Sequence, residues 1–91
     1  MTLEKATRIL SESLKEYDSL IGYELVHLAC SSSTNFRADC VREILSFDNK
    51  NHLFSEDTLD SLHTLLNLKY IYKKDILNTY MLMCRDLNLE E

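Results

Sequence analysis

Ile21-Gly-Tyr-Glu-Leu-Val-His-Leu-Ala-Cys30 runs into Ser31-Ser-Ser-Thr-Asn35, and then into Phe36-Arg-Ala-Asp-Cys-Val-Arg-Glu-Ile-Leu45. The flanking segments repeat apolar residues at steps of three and four, the helical period. The stretch between them is rich in side chains that bond their own backbone, which marks a turn. This is a helical hairpin. A second one follows: Thr58-Leu-Asp-Ser-Leu-His-Thr-Leu-Leu-Asn-Leu68, a short link, and Lys73-Lys-Asp-Ile-Leu-Asn-Thr-Tyr-Met-Leu-Met-Cys84.

Composition agrees. The chain has 91 residues, 45% of them hydrophobic, with one glycine and no proline. Few helix breakers and no β-alternation predict one small all-α domain. Upstream of the first hairpin, Leu3, Ala6, Leu10, Leu14 and Tyr17 form a single apolar stripe, which predicts a helix over 2–17. The stripe continues in phase through Ile21, Leu25 and Leu28, so one long helix is also allowed. The capping side chains Asp18 and Ser19, with Gly22, favour a break at 18–19.

The hairpins are then read as 19–47 and 55–87. In the first, helices are expected over 19–31 and 35–47, with Asn35 capping the latter. The buried stripe of the latter is Phe36, Cys40, Val41, Ile44, Leu45 and Phe47. Asp48 to His52 is the most polar run and reads as a loop. Ser55 reads as an N-cap, with Phe54 placed to staple onto Leu59. Helices over 56–69 and 72–87 complete the second hairpin, and Glu90 and Glu91 are expected to fray. The hairpins repeat at an offset of 36–37 residues, with Leu25 over Leu62 and Leu28 over Leu65. A repeat of about 34 residues is the tetratricopeptide period. The expected architecture is two degenerate hairpins of that kind plus an N-terminal helix.

Charge narrows the function. The formal net charge is −5, which disfavours nucleic acid and anionic membrane as partners. Lys69, Lys73 and Lys74 are the nearest approach to a basic patch and read as a solvated helix start. No run reaches the ~20 apolar residues of a membrane span. The first residues lack the apolar core of a secretory leader. Three cysteines, Cys30, Cys40 and Cys84, leave at least one thiol unpaired and suit a reducing compartment. Their apolar neighbours mark them as core thiols, and the expected location is cytoplasmic.

No reaction centre stands out. His27 and Cys30 share a helix face, yet the close cysteine pairs of structural zinc are missing. Cys84 with His63 could form a nucleophile pair, but no glycine-bearing loop offers an oxyanion hole. No catalytic residue, metal site or cofactor is expected. The tyrosines Tyr23, Tyr70, Tyr72 and Tyr80 and the leucines on several helix faces point instead to an apolar partner groove. Its expected lining is Tyr23, Val26 and Cys30 on one hairpin and Leu62, Leu65 and Leu66 on the other, with Tyr80 closing the end.

Tyr23 to Leu45 also resembles the first hairpin of the small tetratricopeptide-like chaperones of type III secretion needle subunits. The shared pattern is an acidic-then-aliphatic helix, a polar turn, and Ala38-x-Cys40 followed by an aliphatic residue, Glu43 and Leu45. Thr58 to Asn78 resembles the next hairpin. The resemblance implies a cytoplasmic chaperone that holds the needle subunit's amphipathic helix in a concave groove. It further implies a small hairpin co-chaperone in the same hetero-oligomer. The chain departs from the pattern in its additional N-terminal helix and in stopping one helix short of the longer members. A different class is also open: a small acidic regulator or immunity-type protein that blocks a basic partner. It would work through Glu12, Glu16, Asp18, Glu56, Asp57 and Asp60.

Overall fold

The computed structural model describes residues 1–89 and is all-helical over them: α1 Leu3–Leu14, α2 Ile21–Cys30, α3 Thr34–Asn51, α4 Glu56–Asn67 and α5 Lys73–Asp86. Glu90 and Glu91, expected to fray, lie outside the described residues.

Local chemistry sets most of the boundaries. Thr2 caps α1 by accepting from Lys5 N at 3.2 Å. That helix buries Ala6, Thr7, Leu10 and Leu14, then stops, and Tyr17 projects into solvent. The break falls where Asp18 and Ser19 place it, although Asp18 acts by an Asx turn. Its Oδ1 accepts from Leu20 N at 2.9 Å. Ser55 caps α4 as expected, accepting from Thr58 N at 3.4 Å.

Helix α3 departs from expectation at both ends. Its cap is Ser33, whose Oγ accepts from Phe36 N at 3.3 Å, and Asn35 lies inside the helix. At the other end the polar run Asp48 to Asn51 is helical, and the helix stops at His52 in the left-handed conformation, φ 51°. Polarity misleads here because Asp48 is buried for a purpose. Its Oδ1 accepts from Leu53 N at 2.7 Å and Phe54 N at 2.9 Å. The carboxylate satisfies backbone donors of the segment that leaves the helix. The buried stripe also shifts: Phe36 is exposed and Leu45 half-buried, whereas Arg37 is buried.

The residues paired by the sequence repeat are all interior: Leu25, Leu28, Leu62 and Leu65 sit in one core with Leu10, Ile44, Ile76, Tyr80 and Met83. Each helix packs on the next in the chain, and α5 returns to pack on α1 and, more lightly, on α2. The five helices thus close a ring around the core, with principal extents of 30 × 26 × 23 Å. In a tetratricopeptide stack the first helices of successive hairpins lie side by side. Here α2 and α4 do not pack closely side by side among the described residues. The N-terminal helix packs beside α2.

Candidate partner-binding surface

α2 is the helix with two apolar sides. One side, Ile21, Leu25, Leu28 and Ala29, faces the core. The other carries Tyr23, Val26, His27 and Cys30, spaced as successive contacts on one helix face and all exposed. Tyr23 is 64% exposed and Val26 43%. An aromatic ladder extends this face onto α3: the Tyr23 and His27 rings lie 6.4 Å apart, and His27 meets Phe36 edge-on at 5.4 Å.

Beside it, α1 and α2 wall an open cleft of about 660 Å³. Leu3, Val26, Ala29 and Cys30 supply its apolar lining, and Glu4, Arg8, Glu12 and Lys73 stand around it. Ser11, also in the lining, has a buried hydroxyl oxygen with no hydrogen-bond partner among the described residues. An unpaired buried hydroxyl is an uncommon feature of a finished interior. Gly22 of α2 faces Ser11 of α1 here: a Cβ on it would sit 3.7 Å from Ser11 Cβ, an ordinary contact.

The structure divides the residues expected to line a groove. Tyr23, Val26 and Cys30 are together and accessible. Leu62 and Leu65 are core, 0% and 2% exposed, because α4 needs them to fill the space toward α3 and α5. Leu66 is half-buried on the same helix. Tyr80 is fully buried, and its hydroxyl donates to the Leu25 carbonyl at 2.6 Å. It pins α5 to α2 and closes no groove. Burial, reinforced by the neighbouring thiols of Cys40 and Cys30, holds the Tyr80 hydroxyl pKa well above the ordinary value.

The thiols divide too. Cys40 and Cys84 are core, as expected, but Cys30 is exposed and lines the cleft. Burial, then the adjacent Glu24 carboxylate, pushes the Cys40 thiol up to about 12, and burial raises Cys84. Neither is a thiolate at neutral pH, and His63 is on the surface while Cys84 is not. Among the described residues no three histidine, cysteine or carboxylate side chains converge as a metal site. No helix among them is long and apolar enough to cross a membrane.

The carboxylates weighed for an acidic blocker lie on separate elements. Glu12 is paired with Lys15 at 2.7 Å, and that hydrogen bond, with the charge behind it, lowers its pKa. Asp18 is engaged in its turn. Asp57 lies 3.9 Å from Arg85 at the start of α4, alongside the exposed Glu56 and Asp60.

Sequence reasoning missed the α1 wall, where Leu3 and Ser11 flank a cleft, and the surface role of Phe36. The step Leu3, Thr7, Ser11 was a legible signal of a second, mixed face on α1. Comparisons of the chain with protein-family models, curated proteins and solved structures find no match.

Proposed function

We propose that this domain is a non-enzymatic, chaperone-type binding module of the cytoplasm. It holds one amphipathic helix of a small helical partner along α2 and the adjoining cleft, and so keeps that partner from associating with itself. The observation that carries the reading is the accessible face Tyr23, Val26 and Cys30 on a helix already buried on its opposite side. Single exposed apolar residues are ordinary, but a contiguous face beside an apolar cleft marks an interaction site. A helix laid in a groove reads its partner through contacts at this same spacing.

A needle subunit of type III secretion, with a hairpin co-chaperone, is the partner that the sequence resemblance suggests. The site is relocated from the one that resemblance implies, from a groove between hairpins to the α1–α2 face. No cofactor enters this function.

The test is a tagged pull-down from the native host at about 0.5 M salt, which screens surface charge. It uses the parent chain and Val26→Glu, each first shown to melt at the same temperature. The expected result is one or two very small helical proteins in stoichiometric amount with the parent and none with the variant. A partner retained by Val26→Glu, or seen only in low salt, would favour the acidic-blocker reading instead.

A further inference from the structure

The chain is acidic overall, yet three of its ten lysines and arginines fall within six residues. Lys69, Tyr70, Ile71, Tyr72, Lys73 and Lys74 form the α4–α5 link and the first turn of α5. The three lysines are exposed and join no ion pair among the described residues, unlike Lys15, Arg42 and Arg85. The next carboxylate in the chain, Asp75, turns back to accept from Tyr72 N at 3.4 Å.

Beneath the link lies Arg37, 8% exposed, its Nη1 bonded to the Ile71 carbonyl. Its Nε is buried without a partner, and no carboxylate neutralises it among the described residues. A buried guanidinium without a counter-charge is an expensive arrangement unless an anion arrives from outside. Above it Tyr70 and Tyr72 are 54% and 57% exposed, their rings 6.4 Å apart, with Lys69 Nζ 5.5 Å from the centre of the Tyr70 ring. Tyrosine and arginine are the side chains that protein interfaces favour.

This link adjoins the α2 face. Lys73 lines the same cleft as Val26 and Cys30, with Glu4 and Glu12 on the α1 side. A helix lying along α2 toward Cys30 would therefore end at the lysines. We infer that the α4–α5 link is the anion-reading end of the binding surface, and that it takes the acidic end of the partner's amphipathic helix. Charge complementarity decides the occupant. Lys69, Lys73, Lys74 and the uncompensated Arg37 call for carboxylates, and the two tyrosines call for apolar side chains beside them. The net charge of −5 disfavours a nucleic acid at the same place.

The inference rests on the α2-face reading for the partner's helical form, and the test separates the two. The probe is a synthetic helix-forming peptide with leucines along one face and glutamates at one end. Its counterpart carries lysines in place of the glutamates. Affinity is read by anisotropy and the site by amide shifts of the isotope-labelled chain. The acidic peptide is expected to shift amides of the link, to bind about tenfold more weakly to Lys69→Glu/Lys73→Glu/Lys74→Glu, and to weaken comparably at about 0.5 M salt. Lys50→Glu, an exposed lysine in no ion pair on α3, should leave binding unchanged.

Binding that Val26→Glu abolishes but the triple variant and salt do not touch overturns the acidic-end assignment alone. Binding lost in the triple variant but kept in Val26→Glu overturns the α2-face reading and retains the link as the site. Equal affinity for the lysine-bearing peptide, or no amide shifts at about 1 mM acidic peptide, overturns the proposal outright. So does displacement of the peptide from the link by a single-stranded oligonucleotide or by vesicles of anionic lipid, in favour of those partners.

Discussion

Removing the Tyr80 hydroxyl distinguishes a groove-lining tyrosine from a structural one. Tyr80 is fully buried and its hydroxyl reaches 2.6 Å to the Leu25 carbonyl, joining α5 to the middle of α2. Tyr80→Phe keeps the ring and its packing and deletes only this bond. A buried neutral hydrogen bond contributes about 0.5–1.5 kcal/mol net. The carbonyl has two lone pairs, so losing one donor costs less than stranding it completely. The expected loss is therefore about 1 kcal/mol, which for a chain this size lowers Tm by roughly 4–8 °C. Tyr80→Ala, which also empties the ring's space, should cost about 3–5 kcal/mol. Tyr23→Phe, on the exposed face of α2, should change stability by less than about 0.5 kcal/mol. The assay is urea unfolding followed by circular dichroism, with the slope m required to stay constant so that midpoints report stability alone. If Tyr80→Phe melts like the parent chain while losing partner binding, the tyrosine lines a binding surface and the pinning argument is refuted.

Three further outcomes follow from the same packing. Leu65→Asp should unfold the domain, because Leu65 is core, whereas Leu66→Asp on the half-buried flank should leave it folded; circular dichroism at neutral pH separates them. Asp86 is held by two opposed effects: burial raises its pKa, but hydrogen bonds from Thr58 Oγ1 at 2.5 Å, Ser55 N at 2.8 Å and the Arg85 guanidinium win, so the net shift is downward. A carboxylate lowered on folding stabilises above its unfolded pKa of about 3.9 and ceases to as pH falls through the folded value, so Asp86→Asn should cost stability at pH 7 and the gap to the parent should close in acid titrations below about pH 4. Cys30 should react with a maleimide in the native state, while Cys40 and Cys84 stay protected until denaturant is added; rapid labelling of all three would place the buried thiols wrongly.

Periodicity carried the helices well wherever one face alone had to be buried. Leu25, Leu28, Leu62 and Leu65 were legible as a repeating apolar register, and all four are interior. Caps were legible where a hydroxyl precedes an acidic first turn, as at Ser55. The reading failed where a polar residue had a private task indoors. Asp48 binds two backbone amides of the segment leaving α3, and Arg37 binds a carbonyl of a distant link. Both bonds join residues whose meeting no local pattern encodes.

The site was half legible for the same reason. Tyr23, Val26 and Cys30 form one surface face because helical geometry alone aligns them. Leu62, Leu65 and Tyr80 read as equally good groove residues, since an apolar stripe looks the same whether it meets a partner or a neighbouring helix. Spacing along the chain, with the capping residues, thus marked the five helices and most of their apolar stripes. Whether the hairpins stack side by side or close into a ring depended on α1 and α5 meeting, a contact between the two ends of the chain. With α1 beside α2, the α4 leucines are buried toward α3 and α5, and the outer face of α2 is left to solvent. Helices form from interactions within a few residues, whereas which apolar stripe is covered is settled by competition among all of them for one small core.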